Sequence, residues 1–147
     1  MKIGIASDHR GYELKEKIKK YLKHKNYEII DYGTNSIEKT DYTTYAFKLG
    51  KGIIKKEIEL GIAICGTGIG MSIALNKIKN IMCAKVSTKK EAYYSKKHNN
   101  ANIIAISGNI NYLKARNIIN TFINTTYEEK NPYQKRINDI KEYEQND

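Results

Sequence analysis

The chain has 147 residues, which fits one domain of ordinary size, and it carries a formal net charge of +10 at neutral pH. It has no apolar run as long as the ~18 residues that a membrane helix needs, and its first residues lack the pattern of a secretory signal. The two cysteines, Cys65 and Cys83, lie in different apolar runs without metal-ligand spacing, which excludes a disulfide framework and a zinc ribbon. We therefore expect a reduced, cytoplasmic protein with no membrane partner, no metal and no cofactor.

The positive charge comes mostly from lysine, because 23 of the 26 basic residues are Lys and only Arg10, Arg116 and Arg136 are Arg. Surfaces that bind nucleic acid more often interleave Arg with aromatic residues along one element. The composition therefore argues against a nucleic-acid partner. A basic surface also favours small anionic metabolites.

Short apolar runs that favour β-strands alternate with helical periodicity along the chain. In the first helical pattern, for example, Leu14, Ile18 and Leu22 recur on one face. In chain order, the pattern predicts a strand at 2–6, a helix at 12–25, a strand at 27–30, a helix at 43–56, a strand at 60–64, a helix at 71–77, a strand at 81–86, a helix at 88–97, a strand at 103–107, a helix at 111–124, and a last helix opened by Pro132 over about 132–145.

Five strands separated by helices predict a parallel sheet covered on both faces, which is an α/β fold with three α/β/α layers and a Rossmann-like topology. No linker or internal repeat is visible, so residues 1–147 form one predicted domain. In such sheets, ligands bind at the carboxyl ends of the strands. The candidates for a site are therefore the residues that follow strands, namely 7–9, 65–70, Ser87, Gly108 and Asn109.

The loop at 65–70, Cys-Gly-Thr-Gly-Ile-Gly, is the most informative segment of the sequence. Alternating glycines between a strand and a helix let backbone amides converge on an anion, although such a turn can also serve packing alone. The spacing matches neither the G-x-G-x-x-G of dinucleotide sites nor the Gly-Lys-Ser/Thr of a P-loop. Cys65 could be a nucleophile, a general base or an inert core residue, and Cys83 is predicted to be inert.

Three further side chains could move protons. Asp8 and His9 close the first strand, where they form either an acid–base pair or a turn with a capping Asp. His98 lies between the fourth helix and the fifth strand, and it could shuttle protons at neutral pH or simply face solvent, as we expect of His24. The pattern as a whole predicts a thiol, two imidazoles, a carboxylate and an anion-binding loop near one edge of the sheet.

Six segments carry a resemblance to a known family: 7–11 (SDHRG), 31–34 (DYGT), 40–42 (TDY), 61–70 (GIAICGTGIG), 76–77 (NK) and 98–102 (HNNAN). In this order, covering nearly the whole chain, they resemble the type B ribose-5-phosphate isomerase family, which also includes galactose-6-phosphate and allose-6-phosphate isomerases. Another branch of that family lacks the Cys and has a Glu where Met71 stands. The chain therefore resembles the Cys-containing branch.

The resemblance implies an aldose–ketose isomerase of the pentose phosphate pathway that interconverts ribose 5-phosphate and ribulose 5-phosphate through an enediolate, without a metal. It implies that Cys65 moves the proton between carbons 1 and 2, and that His98 opens the sugar ring with help from Asp8. The implied catalytic residues are Cys65, His98, Asp8 and Thr67, and the implied substrate-binding residues are Asp8, His9, Tyr42, Gly66, Thr67, Gly68, Ile69, Gly70, Asn99, Asn109, Pro132 and Arg136.

The chain departs from the family where phosphate is bound. The family commonly has Arg at the positions of Asn109 and Pro132, so only Arg136 remains, and Lys130 or Lys135 could compensate as point charges. The substrate therefore stays open between ribose 5-phosphate and a hexose 6-phosphate of the allose or galactose type. A non-catalytic sugar-phosphate-binding domain is a further alternative. The resemblance also implies a homodimer or tetramer whose sites are built from both chains.

Overall fold

A computed structural model of the chain describes residues 1–146. Each element that the sequence predicts is present in the predicted order, and the bounds differ by a few residues. The strands are β1 (Lys2–Ser7), β2 (Glu28–Asp31), β3 (Leu60–Cys65), β4 (Cys83–Lys85) and β5 (Ile103–Ser107). The helices are α1 (Tyr12–His24), α2 (Tyr42–Ile54), α3 (Ile69–Leu75), α4 (Lys89–Lys97), α5 (Tyr112–Asn124) and α6 (Tyr133–Gln145).

The five strands form one sheet in the order β2-β1-β3-β5-β4, and every neighbouring pair is parallel. The central strand β3 is buried along its whole length, as its continuous apolar run predicts. The strand order reverses between β1 and β3, since the chain moves to one side for β2 and to the other for β3. In open parallel sheets, ligands bind at the carboxyl ends of the strands at such a switch point.

Helices cover both faces of the sheet. The apolar sides of α1, α4 and α5 pack on one face, where α1 contributes Leu14, Ile18 and Leu22. The apolar sides of α2 and α3 pack on the other face, and the core on that side includes Cys65. The predicted three-layer α/β/α architecture with a five-stranded parallel sheet is therefore confirmed.

Two elements differ from their predicted bounds for physical reasons. Strand β4 is three residues long rather than the predicted six, because it lies at the edge of the sheet and pairs with β5 alone. Helix α3 begins at Ile69 rather than Met71, because Gly68 adopts a left-handed conformation with φ at +82° and ends the preceding turn directly before Ile69.

The last helix packs on the rest of the chain by few apolar side chains. Ile137 of α6 is buried, but Ile140 and Tyr143 are exposed. The helix is also tied to the body by the backbone N–H of Asn80, which donates to the Glu144 carboxylate at 2.8 Å. No helix within residues 1–146 combines the length and the apolar character needed to cross a bilayer.

The segment at 31–34, part of the family resemblance, has a structural role here. The ammonium group of Lys15 is fully buried and lies 2.6 Å from Asp31 and 2.9 Å from Glu16, and Lys19 also contacts Asp31 at 2.8 Å. Burial alone raises the pKa of the Asp31 carboxyl, but hydrogen bonds from the two lysines outweigh it, so this pKa lies below its usual value. The other Asp31 oxygen accepts the N–H of Gly33 at 2.8 Å.

Candidate active site

A cavity of about 310 Å³ opens at the carboxyl ends of β1 and β3, at the switch point of the sheet. This volume suits a small metabolite. The loop that follows β1, the loop that precedes α2 and the glycine loop after β3 all border it. The lining residues are Asp8, His9, Arg10, Lys39, Thr40, Asp41, Tyr42, Cys65, Gly66, Thr67 and Gly70.

The Cys65 thiol ends β3 and is held by the glycine loop. The backbone N–H of Gly68 donates to the Cys65 sulfur at 3.2 Å. Gly68 can approach this closely because it has a positive φ and no side chain, since a Cβ there would meet the backbone of Ile106 at 3.0 Å. The thiol is therefore fixed at the cavity edge, with one amide already directed at its sulfur.

The same loop offers further amides. The Ile69 N–H is occupied, because it donates to the Thr67 hydroxyl at 3.1 Å. The N–H groups of Thr67 and Gly70 have no acceptor within the described part of the chain, and both residues line the cavity. Tyr42 packs on Gly70 so closely that a Cβ there would lie 2.6 Å from the ring. This loop has the donor groups that an anion needs, as its sequence predicts.

Two side chains from the end of β5 restrain the glycine loop. The Ser107 hydroxyl donates to the carbonyl oxygen of Gly66 at 2.7 Å, and the Asn109 amide donates to the same oxygen at 3.2 Å. The backbone N–H of Asn109 in turn donates to the Ser107 hydroxyl at 3.0 Å. Asn109 thus contacts the loop, and its predicted contact with substrate stays a prediction.

Asp8 and His9 also line the cavity, directly after the end of β1. The Asp8 carboxylate is buried and accepts the N–H groups of Arg10 and Gly11 at 2.9 and 3.1 Å, so one of its oxygens caps the turn. The Nδ1 atom of His9 lies 3.2 Å from both the N and the O of Thr40. The ring is therefore held in place whether Nδ1 accepts or donates, and Nε2 remains for other contacts.

His98 lies at the amino ends of the strands, whereas Cys65 lies at their carboxyl ends. The expectation that both residues lie at the same edge of the sheet is therefore wrong within one chain. Helix α4 runs from the carboxyl end of β4 back to the amino end of β5, and His98 caps its C-terminus. Strand β5 alone is about 13 Å long at a rise of about 3.3 Å per residue. The His98 ring stacks on Tyr133 with centroids 4.1 Å apart.

Apart from Asn109, the other predicted residues of the C-terminal half lie on the His98 side of the sheet. Asn99 is exposed beside His98, Pro132 is the N-cap of α6, and Arg136 is exposed one turn further along that helix. We call these residues, His98, Asn99, Pro132 and Arg136, the His98 region. The residues around the cavity, Asp8, His9, Tyr42 and 65–70, form the Cys65 region.

The two lysines proposed as substitutes for phosphate-binding arginines already have partners. Lys130 lies 2.8 Å from the Glu128 carboxylate, and Lys135 lies 2.8 Å from Asp139. Both pairs are exposed, and such pairs contribute little to stability. Neither Arg10 nor Arg136 forms an ion pair within residues 1–146. The free guanidinium groups are thus better placed than the lysines to bind an added anion.

The sequence reasoning did not assign Arg10, Lys39, Thr40 or Asp41 to the site, although all four line the cavity. A signal was present, because Arg10 directly follows Ser7-Asp8-His9 and 40–42 belongs to the family resemblance. Ser87, a candidate because it follows a strand, does not line this cavity: its N–H donates to Glu91 at the start of α4.

The remaining cysteine lacks the environment of Cys65. Burial raises the pKa of the Cys83 thiol to about 12, which disfavours a thiolate at neutral pH. Among residues 1–146, no three His, Cys, Asp or Glu side chains cluster in a way that could hold a metal ion.

Comparison with known proteins gives the family. The model of the ribose/galactose isomerase family matches residues 3–140. The chain belongs to this family of sugar-phosphate isomerases. It is 37% identical over 145 residues to ribose-5-phosphate isomerase B of Escherichia coli, covering 98% of this chain and 97% of the relative. It is 36% identical over 148 residues to galactose-6-phosphate isomerase subunit LacB of Clostridium acetobutylicum, covering 100% of this chain and 86% of the relative.

A solved structure of ribose-5-phosphate isomerase B from Clostridium thermocellum superposes on this chain with a TM-score of 0.96 at 38% identity, covering 99% of both chains. The family membership that the six sequence segments predict is therefore confirmed. Since relatives of similar identity have names that include either ribose 5-phosphate or galactose 6-phosphate, family membership supports a sugar phosphate as substrate without selecting one.

Proposed function

We propose that the chain is an aldose–ketose isomerase that interconverts ribose 5-phosphate and ribulose 5-phosphate. The observation that carries the proposal is the position of Cys65, which lines a small cavity beside amides of a glycine loop that have no acceptor within residues 1–146. A base and an anion-stabilising loop are the two groups that proton transfer next to a carbonyl requires. The proposal includes the cytoplasmic location and a place in the pentose phosphate pathway.

In the proposed reaction, Cys65 removes the proton from carbon 2 of the open-chain aldose and returns it to carbon 1, while the hydroxyl proton on the oxygen of carbon 2 moves to the oxygen of carbon 1. Negative charge develops on the sugar oxygens in the enediolate, where the Thr67 and Gly70 N–H groups can donate to it. One such donor is typically worth about 2.7–4 kcal/mol, and a positioned base adds roughly 10²–10⁴-fold. These two effects use groups of one chain and need no metal.

The ring-opening step needs an acid, and the proposal assigns it to His98 of a second copy of the chain. Within one chain, His98 and Cys65 lie at opposite edges of the sheet, which supports a site completed across a dimer. Asn99 and Arg136 lie near His98, and they would reach the substrate in the same way. The homodimer, and the tetramer that two dimers could form, are part of this proposal.

An isomerase assay on a panel of sugar phosphates tests the proposed function. Purified protein is incubated with ribose 5-phosphate, allose 6-phosphate and galactose 6-phosphate, with and without a chelator, and product is measured by chromatography. We expect the highest kcat/KM for ribose 5-phosphate and no effect of the chelator. A higher kcat/KM for a hexose phosphate would mean that this sugar, and not ribose 5-phosphate, is the substrate. The absence of turnover with all three sugar phosphates would favour a non-catalytic binding domain.

A further inference from the structure

Arg10 lies against the glycine loop of the Cys65 region. If Gly66 carried a Cβ, that atom would be 3.0 Å from Cδ and 3.2 Å from Nη1 of Arg10. The side chain therefore crosses the loop at the residue directly after Cys65. It lines the same cavity as Asp8, His9 and Cys65.

The backbone of Arg10 is fixed on both sides. Its N–H donates to the buried Asp8 carboxylate at 2.9 Å. Its carbonyl oxygen packs on Gly108 so tightly that a Cβ there would lie 2.5 Å away. The root of the side chain is thus held between the ends of β1 and β5, within reach of the glycine loop.

The charge of Arg10 is not neutralised by the chain. The guanidinium forms no ion pair with any carboxylate of residues 1–146. The neighbouring Asp8 carboxylate instead accepts two backbone N–H groups through one oxygen. Asn109, which also contacts Gly66, has no charge, and its amide donates to the Gly66 carbonyl. An exposed cation in a cavity for an anionic substrate is therefore available to that substrate.

We propose that Arg10 binds the phosphate group of the substrate from the same chain that supplies Cys65. The planar guanidinium can donate two parallel hydrogen bonds to a phosphate, which a lysine cannot do. The inference rests on the proposed function for the identity of the sugar, but it requires only that the ligand carry a phosphate. Lys39, the other cation at this cavity, is the competing candidate.

The test compares four variants with wild type: Arg10→Gln, Arg10→Lys, Lys39→Gln and the matched control Arg116→Gln. Arg116 lies outside the cavity, with its guanidinium 4.2 Å from the ring centre of Tyr21. We measure kcat and KM with ribose 5-phosphate, and the Kd of inorganic phosphate by amide chemical-shift titration. Melting temperatures check that each variant is folded.

Arg10→Gln should raise KM and the Kd of phosphate by about ten- to 150-fold, the range for one charge-assisted hydrogen bond. Arg10→Lys should fall between this variant and wild type, and Arg116→Gln should stay within roughly twofold of wild type. Unchanged phosphate binding in Arg10→Gln, or a larger loss in Lys39→Gln, overturns the inference. If wild type does not turn over ribose 5-phosphate, the proposed substrate is wrong, and the phosphate titration still decides the role of Arg10.

Discussion

The Cys65 region and the His98 region differ in how completely one chain builds them. Around Cys65, backbone amides, the Asp8 carboxylate and side chains from β5 are connected by short hydrogen bonds, and closely packed glycines leave the loop little freedom. Around His98, the ring stacks on Tyr133 at the surface, and Asn99 and Arg136 are exposed. The glycine loop is thus ordered by contacts within the chain, whereas the His98 region is a surface that would complete the site only in the dimer proposed above.

The largest effect should come from removing the thiol of the Cys65 region. Cys65→Ala should lower kcat by roughly 10²–10⁴-fold, because a positioned base contributes about that factor. Cys83→Ala is the matched control, and it should keep near wild-type kcat because burial disfavours the thiolate there. A Cys65→Ala variant that retains a tenth or more of wild-type turnover would show that another group moves the proton.

A mixed dimer separates a shared site from a site within one chain. Cys65→Ala and His98→Asn subunits carry different affinity tags, are coexpressed, and are isolated together by both tags in turn. One of the two composite sites then has both functional residues, so the mixed dimer should recover about half of wild-type kcat. A mixed dimer as inactive as its parents would mean that both residues act within one chain. The control is a dimer of differently tagged subunits that both carry Cys65→Ala, because any recovery of activity in it would come from the tags.

Arg136 tests whether the His98 region contributes to phosphate binding. Arg136→Ala should raise KM by about ten- to 150-fold, the range for a lost charge-assisted hydrogen bond. Lys135→Ala should change KM little, because Lys135 is exposed and pairs with Asp139. Steady-state kinetics on both variants measures the difference. Equal KM values for Arg136→Ala and wild type would remove α6 from the phosphate site.

A substitution of Asp31 should lower the stability of the fold without affecting the Cys65 region or the His98 region. Asp31→Asn should lower the free energy of unfolding at pH 7 by about 1–3 kcal/mol, because it removes one of the two carboxylates that pair with the fully buried Lys15. The pKa of Asp31 is lowered in the folded state, so its stabilisation is present above its unfolded value near 3.9 and is lost as the pH falls through the folded value. Urea unfolding at pH 7 and at lower pH should therefore show the variant and wild type converging, and an equal difference at every pH would contradict this explanation.

Much of the fold follows from the sequence, because short apolar runs that are buried on both faces leave little choice of secondary structure other than a central strand. Strands β1, β3 and β5 are such runs, and all three were predicted within one residue at each end. The edge strand β4 was predicted three residues too long, because an apolar run does not show how many of its residues find a partner strand.

The sequence placed residues at the cavity where they lie at or just after the end of a strand, as Cys65 and Asp8 do. His98 was misplaced because it follows a helix, and a helix between parallel strands returns the chain to the amino edge of the sheet. That error was avoidable from the predicted topology alone. The position of the Arg10 side chain against Gly66 was not predictable, since it is a contact between residues far apart in the sequence.

The two hydrogen bonds to the Gly66 carbonyl have a consequence for the direction of the neighbouring Thr67 N–H. The C=O of Gly66 and the N–H of Thr67 belong to the same planar peptide unit, in which they point in opposite directions. By holding that oxygen, Ser107 and Asn109 prevent the peptide plane from rotating, and they fix the direction of the Thr67 N–H. The amide of Asn109, which follows β5, thus fixes the orientation of a peptide bond in the loop that follows β3.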